Sequence, residues 1–204
     1  MNDSDWTQVG SEAVDRLSRY IQIDTANSPG NERAGAEFLE DLLSSESIPS
    51  TMFRPEPDRA NLLASLDGEG AEPPVLLLHH NDVVPAASHR WRREPFGGLI
   101  EDGHVWGRGA IDGKSLGIMH VLALALLRRQ GIPLKRRVML LAVSDEELDG
   151  FAGTKWVIDN HWDRIRSEYV WDEGGVGTRG IVGEVPVFTV SVAEKRSAMV
   201  RLVA

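Results

Sequence analysis

A chain of 204 residues, 42% hydrophobic and 26% charged, is long enough for one sizeable domain, or for a domain and part of another, and has an ordinary globular composition. Its formal net charge of -9 argues against nucleic acid or anionic membrane as a main partner, since both require a basic face. Cysteine is absent, which excludes disulfides and leaves His, Asp and Glu as the side chains able to hold a metal.

The N-terminal residues, MNDSDWTQVG, show no apolar signal segment. Residues 6–22 place Val9, Ala13, Leu17 and Tyr20-Ile21 at helical spacing. NSPGNE (27–32) breaks the chain, and Asn31 is suited to cap a second helix carrying Ala34, Phe38, Leu39, Leu42 and Leu43. Strands are expected over 50–54, 61–66 and 75–80, the last two separated by the acidic turn DGEGAEPP. Residues 114–130 are apolar nearly all round and predict a buried helix closed by Gly131 and Pro133. The longest apolar run, 117–127, is too short to span a bilayer and stops at Arg128-Arg129, so a cytoplasmic protein is expected, with no membrane partner. A continuous apolar strand follows at 137–143, then a helix at 151–162 and a short strand in YVWDEGG (169–175).

Strands alternating with helices predict an α/β fold, a three-layer sandwich around a mostly parallel sheet. Ligands in such sheets sit beyond the carboxyl ends of the strands. Three of those ends carry polar clusters: His79-His80-Asn81-Asp82, Ser144-Asp145-Glu146-Glu147 and Asp172-Glu173. The tail differs. VFTVSVA (187–193) alternates and AMVRLVA (198–204) is strand-like again, which predicts a hairpin opening a second, antiparallel unit. Residues 1–186 are therefore expected to form one domain and 187–204 the start of another, in a sequence that stops mid-strand as a truncated one would.

Each candidate residue also has a plain structural reading. His80 and Asp82 stand at period two, so the carboxylate could orient the imidazole of a metal ligand, although a His at a strand end is more often a hydrogen-bonded residue. Asp112, after the glycine-rich turn WGRGAID and before a helix, reads first as an N-cap. Glu146 and Glu147, adjacent at a strand end, are expected to point to opposite sides, one toward a metal and the other toward a water as general base; a solvated acidic loop is the plain alternative, for them as for Asp172-Glu173. His79 reads as structural, His120 as a hydrogen-bonded core residue, and His89, His104 and His161 as surface residues. Trp91 and Trp106 flank the candidate site in sequence.

Taken together, RYIQIDTANSPGNE, HHNDVVPA, WRREPFGGLIEDGHVWGRGAIDGK, SDEELDGFAG, VWDEGG and VSVAEK resemble, in order and over nearly the whole chain, the di-zinc metallopeptidases and amidohydrolases. That family includes glutamate carboxypeptidase, aminoacylase, acetylornithine deacetylase and carboxypeptidase S; the DEGG and SVAEK segments look most like the carboxypeptidase S and N-acyl-amino-acid hydrolase branch. The resemblance implies that His80 binds one zinc with Asp82 orienting it, that Asp112 bridges two zincs, that Glu147 binds the second zinc and that Glu173 completes the first. Glu146 is then the general base. The implied substrate is a small peptide or N-acyl amino acid, and cobalt or manganese would suit the same N and O ligands.

Gly113 and Arg196 depart from residues common in the family, and the peptide after the bridging Asp is cis in many relatives. Relatives also continue through a lid or dimerisation domain, with a possible homodimer, and then return to supply a further His ligand. Two rival readings remain: a non-catalytic fragment or degenerate relative that binds a metal or partner without turnover, and an acidic Mg²⁺-dependent phosphotransferase, which leaves His80 and the missing phosphate loop unexplained.

Overall fold

The computed structural model describes residues 3–174 and 177–189. The chain divides into two units, one ending at Asp172 and the other beginning at Glu173. Among the described residues no helix is long and apolar enough to cross a membrane.

The first unit opens with two helices, α1 (Asp3–Ile21) and α2 (Glu32–Ser45). Asn31 occupies the position before α2, but its side chain donates to the Asp24 carbonyl at 3.0 Å and makes no cap bond to the helix. The strand β1 (Ser50–Glu56) turns back antiparallel into β2 (Arg59–Leu66). Next come β3 (Val75–His80), a 3-10 turn at Ser88–Arg90, and the short antiparallel hairpin of β4 (Leu99–Glu101) and β5 (His104–Trp106), whose three-residue strands carry no clear sequence pattern. Then follow α3 (Lys114–Gln130), β6 (Val138–Val143), α4 (Thr154–Ile165) and β7 (Tyr169–Trp171).

Five strands make one sheet in the order β1-β2-β6-β3-β7. β6, β3 and β7 run parallel, and β2 is antiparallel to both β6 and β1, so four of the five strands share a direction. The fold is thus a mixed α/β arrangement with a mostly parallel central sheet, as the alternation of elements predicts. β6 lies in the middle and must be apolar on both faces. Leu140 and Ala142 pack with Leu62, Ala64 and residues of α1, α2 and α3, including Tyr20, Leu39, Leu43 and Leu124. Met139, Leu141 and Val143 face the other way, onto Val157 and Ile165 of α4. Helices on both faces give three layers.

Two helices depart from expectation in instructive ways. α3 was predicted to be buried all round, yet Met119 is 56% exposed, because only one side of the sheet is available to it. His161, expected at the surface, is half-buried: it breaks the helical dihedrals of α4 and stacks on Phe53, with ring centroids 4.1 Å apart.

In the second unit, β8 (Gly177–Val182) and β9 (Val185–Phe188) form an antiparallel hairpin through Gly183, which adopts a left-handed φ of 58°. The first expected strand of the tail, 187–193, overlaps β9 only at its start. Residues 190–193 and the expected strand 198–204 lie outside the described residues.

Candidate metal centre

The carboxyl ends of β3 and β6 lie side by side, His80 opposite Val143, so the loops that leave them must meet. His80, the last residue of β3, is 2% exposed. Its Nδ1 lies 2.9 Å from the backbone oxygen of Asp82 and 3.5 Å from Asp82 Oδ1. A carbonyl can only accept, so Nδ1 carries the proton. The carboxylate of Asp82 was expected to orient the ring; the carbonyl of the same residue is the nearer partner, because the strand ends at His80 and the chain curls.

His80 Nε2, the other ring nitrogen, faces Asp112 Oδ1 at 2.8 Å. A lone pair facing a carboxylate at that distance is repulsive unless a proton or a metal cation serves both. Asp112 is not spent as a helix cap: Gly113 holds that position, without a side-chain cap bond, and the Asp112 side chain is 66% exposed. The Asp112–Gly113 peptide is cis, as the resemblance implied.

The loop after β6 brings the remaining acids. Asp145 takes a left-handed φ of 63°, which reverses the chain and turns its side chain inward. The backbone N–H groups of Glu146 and Glu147 then donate to the two oxygens of Asp82, each at 3.0 Å. Burial alone would raise the Asp82 pKa; His80, the Asn27 amide and those two N–H groups outweigh it and hold the pKa below the usual value. Glu146 and Glu147 were expected on opposite sides. Instead ligand atoms of His80, Glu146 and Glu147 all lie within 4.8 Å of one another, because these acids belong to a turn around Asp82 and not to the extended strand. The Glu147 pKa is raised, first by burial and then by the neighbouring charges of Asp112, Glu146 and Asp82, with His80 acting in the opposite sense. An imidazole nitrogen beside carboxylates whose mutual repulsion is unrelieved is a donor set suited to a divalent cation. Glu173, the remaining expected ligand, is the first residue of the second unit, two positions beyond the end of β7.

Beneath the acids lies a layer of buried polar side chains. Asn27, 2% exposed, donates from Nδ2 to Asp82 Oδ2 at 2.9 Å and to Asp145 Oδ1 at 3.0 Å. Arg59 bonds Glu32, Asp145 and Asn27. Asn81, fully buried, accepts from the Tyr20 hydroxyl at 2.7 Å and donates to the Glu32 carbonyl. Lys114, also fully buried, donates to the carbonyls of Tyr20 and Ile23. The signal available in sequence for Asn27 was the polar run NSPGNE, which has no hydrophobic periodicity of its own.

Other expectations resolve simply. His79 and His120 are buried with ring centroids 5.7 Å apart, and none of their ring nitrogens has a hydrogen-bond partner. Burial lowers both pKa values, that of His120 to about 4. His120 is thus a core residue without the hydrogen bond expected of it. Trp106 donates to the Glu101 carbonyl, and Trp91 lies under the Arg108 guanidinium.

Comparison with known proteins points the same way as this geometry. Over 194 residues the chain is 35% identical to the N-fatty-acyl-amino acid synthase/hydrolase PM20D1 of Mus musculus, covering 88% of this chain and 38% of that protein. Aminoacylase-1 of Sus scrofa is 27% identical over 188 residues, 90% of this chain and 44% of that one. The M20 family metallo-carboxypeptidase Sso-CP2 of Sulfolobus solfataricus shares the fold, with a TM-score of 0.67 at 20% identity over 87% of this chain and 41% of its own. The chain thus spans less than half the length of these relatives. Residues 76–199, more than half of the chain, match the model of Peptidase family M20/M25/M40. That stretch contains the whole His80, Asp82, Asp112, Glu146 and Glu147 group, and the chain belongs to this peptidase family.

Proposed function

We propose that this chain provides metal ligands and the general base of a hydrolase that cleaves the amide bond of a small peptide or N-acyl amino acid. His80, Asp112, Glu147 and Glu173 would hold two zinc ions, with cobalt or manganese compatible with the same N and O donors. The metals would polarise the scissile carbonyl and lower the pKa of a water. The Asp82 carbonyl holds the His80 tautomer that turns an Nε2 lone pair toward Asp112, while the Asp82 carboxylate, fixed by two backbone N–H groups and Asn27, holds the Glu146–Glu147 turn. Glu146, exposed on the same turn, takes the proton of the attacking water and passes it to the amine as the carbon–nitrogen bond breaks.

One observation carries this reading: a buried imidazole whose Nδ1 is committed to a carbonyl and whose Nε2 points at a carboxylate, with two more carboxylates within reach. The names of the two similar proteins, an N-fatty-acyl-amino acid synthase/hydrolase and an aminoacylase, support the substrate class. The test is metal content by elemental analysis of the folded chain after dialysis against dilute zinc. One or two zincs per chain, lost in His80→Ala, is the expected result. A folded chain that retains none refutes the reading.

A further inference from the structure

Asn27 lies between two carboxylates and a guanidinium. Its Nδ2 gives one proton to Asp82 Oδ2 and the other to Asp145 Oδ1, and its Oδ1 accepts from Arg59 Nη2 at 2.9 Å. Rotating this amide by half a turn would aim its oxygen at two carboxylates and its N–H groups at a cation. Both ends disfavour the flip, and in a site this buried the contrast is large.

Arg59 is itself fully committed. Its Nη1 reaches Glu32 Oε1 at 2.9 Å and Asp145 Oδ1 at 3.0 Å, Nη2 reaches Asn27 Oδ1 and the Pro29 carbonyl, and Nε lies 3.3 Å from Glu56. It stands at the start of β2, just past the β1–β2 turn, and its side chain is 12% exposed. A hairpin at the far edge of the sheet therefore reaches under the loops that carry the candidate ligands. The planar fork fits several acceptors at once, a geometry that lysine cannot copy.

We propose that Arg59 and Asn27 are positioning residues for the metal centre: Arg59 selects one orientation of the Asn27 amide, and Asn27 in turn fixes the Asp82 carboxylate that gathers the Glu146–Glu147 turn beside His80. The inference rests on the metal reading above for its consequence, and on hydrogen bonding alone for its first step. Without the Asn27 bond, Asp82 Oδ2 keeps only the Glu147 N–H, and the carboxylate can rotate away from the turn.

The experiment uses the 204-residue chain and the variants Asn27→Asp, Arg59→Met and Arg59→Lys, with Arg33→Met, whose ion pairs to Glu37 and Asp58 lie on the exposed face of the same region, as control. In metal-free protein, amide hydrogen exchange is followed at Glu146 and Glu147 and, for comparison, at Leu140 and Leu141 in β6. Zinc affinity is then measured by competition with a chromophoric chelator. Asn27→Asp and Arg59→Met are expected to lose protection at Glu146 and Glu147 while β6 is unchanged, and to bind zinc roughly 10- to 100-fold more weakly, the range for loss of a residue that orients a ligand. Arg59→Lys should fall between, and Arg33→Met should match the parent.

A general loss of protection, equal in β6 and the turn, would mean that these residues only support the fold and would overturn the inference. So would folded variants with the parent's local protection and zinc affinity. Should Arg59→Met fail to fold, Arg59→Lys decides on the same two measurements. A parent chain that binds no zinc, with turn protection still dependent on Asn27, would remove the metal reading and leave the orienting role of Arg59 and Asn27 in place.

Discussion

Glu146 and Glu147 are chemically identical and adjacent, so whatever separates their roles must come from their surroundings. Glu147 is half-buried and its pKa is pushed up by burial and by Asp112; Glu146 is exposed on the same turn. A cation would relieve the repulsion on Glu147, whereas a base needs access to water and substrate. Glu146→Gln is accordingly expected to leave zinc stoichiometry unchanged while lowering hydrolysis by a protein that contains the complete site about 10²- to 10⁴-fold. Glu147→Gln should instead weaken zinc binding. Chelator competition and turnover, measured side by side, check both, and the reverse pattern would exchange the two assignments.

This division was only partly legible in the sequence. The residue types and their places at strand ends identified the group, but alternation along a strand put the two acids on opposite sides. The error is physical: the rule applies only while the backbone stays extended, and Asp145 leaves that conformation with a left-handed φ. The roles of Asn27 and Arg59 were not legible, because Asn27 reaches Asp82 across 55 positions of chain and Arg59 reaches Asn27 across 32, and nothing local marks such contacts.

Among the elements, those with a strong period or a long apolar run were readable: α1, α2, α3, and the strands β2, β3 and β6. The β4–β5 hairpin was not, since three-residue strands carry too little pattern to stand out from a loop. Packing between elements was also hidden, and Gly35 in α2 shows how. By helix propensity alone, Gly35→Ala should stabilise by about 1 kcal/mol. A Cβ there would lie 2.1 Å from Asn81 Oδ1, which is held by the Tyr20 hydroxyl and cannot simply move aside. The substitution is therefore expected to destabilise, by about 1–3 kcal/mol as for other overpacked sites. Urea unfolding of Gly35→Ala measures the sign directly; a gain in stability would show that the α2–β3 contact has slack.

For the molecule as a whole, Glu32 and Lys114 tie stability to pH with opposite slopes, beside the buried rings of His79 and His120. Burial raises the Glu32 pKa from 4.5 to about 7, with Arg59 only partly offsetting it. Burial lowers the Lys114 pKa from 10.5 to about 7. Between pH 4.5 and 7 the folded chain keeps a proton on Glu32 that the unfolded chain has lost, so Glu32 lowers stability as pH rises through that window. Between pH 7 and 10.5 the unfolded chain holds a proton on Lys114 that the folded chain lacks, so Lys114 raises stability there. At 1.36 kcal/mol per unit the two arms amount to about 3 and about 5 kcal/mol. Below pH 7 the lowered pKa values of buried His79 and His120 add a slope of the opposite sign to that of Glu32, because the unfolded chain binds protons that these rings refuse in the fold; above pH 7 stability rises with Lys114. Urea unfolding at pH 5, 7 and 9 in the presence of a chelator tests this. Glu32→Gln should make stability rise more steeply with pH between pH 5 and 7, and Lys114→Met should flatten the rise between pH 7 and 9, because each removes one linked proton. A profile unchanged by either substitution would mean that both groups find compensating charge in the folded chain. Bound zinc should raise stability through mass action, most where its His and carboxylate ligands are deprotonated, and should leave the effects of the two substitutions in place, since neither Glu32 nor Lys114 is among the proposed ligands.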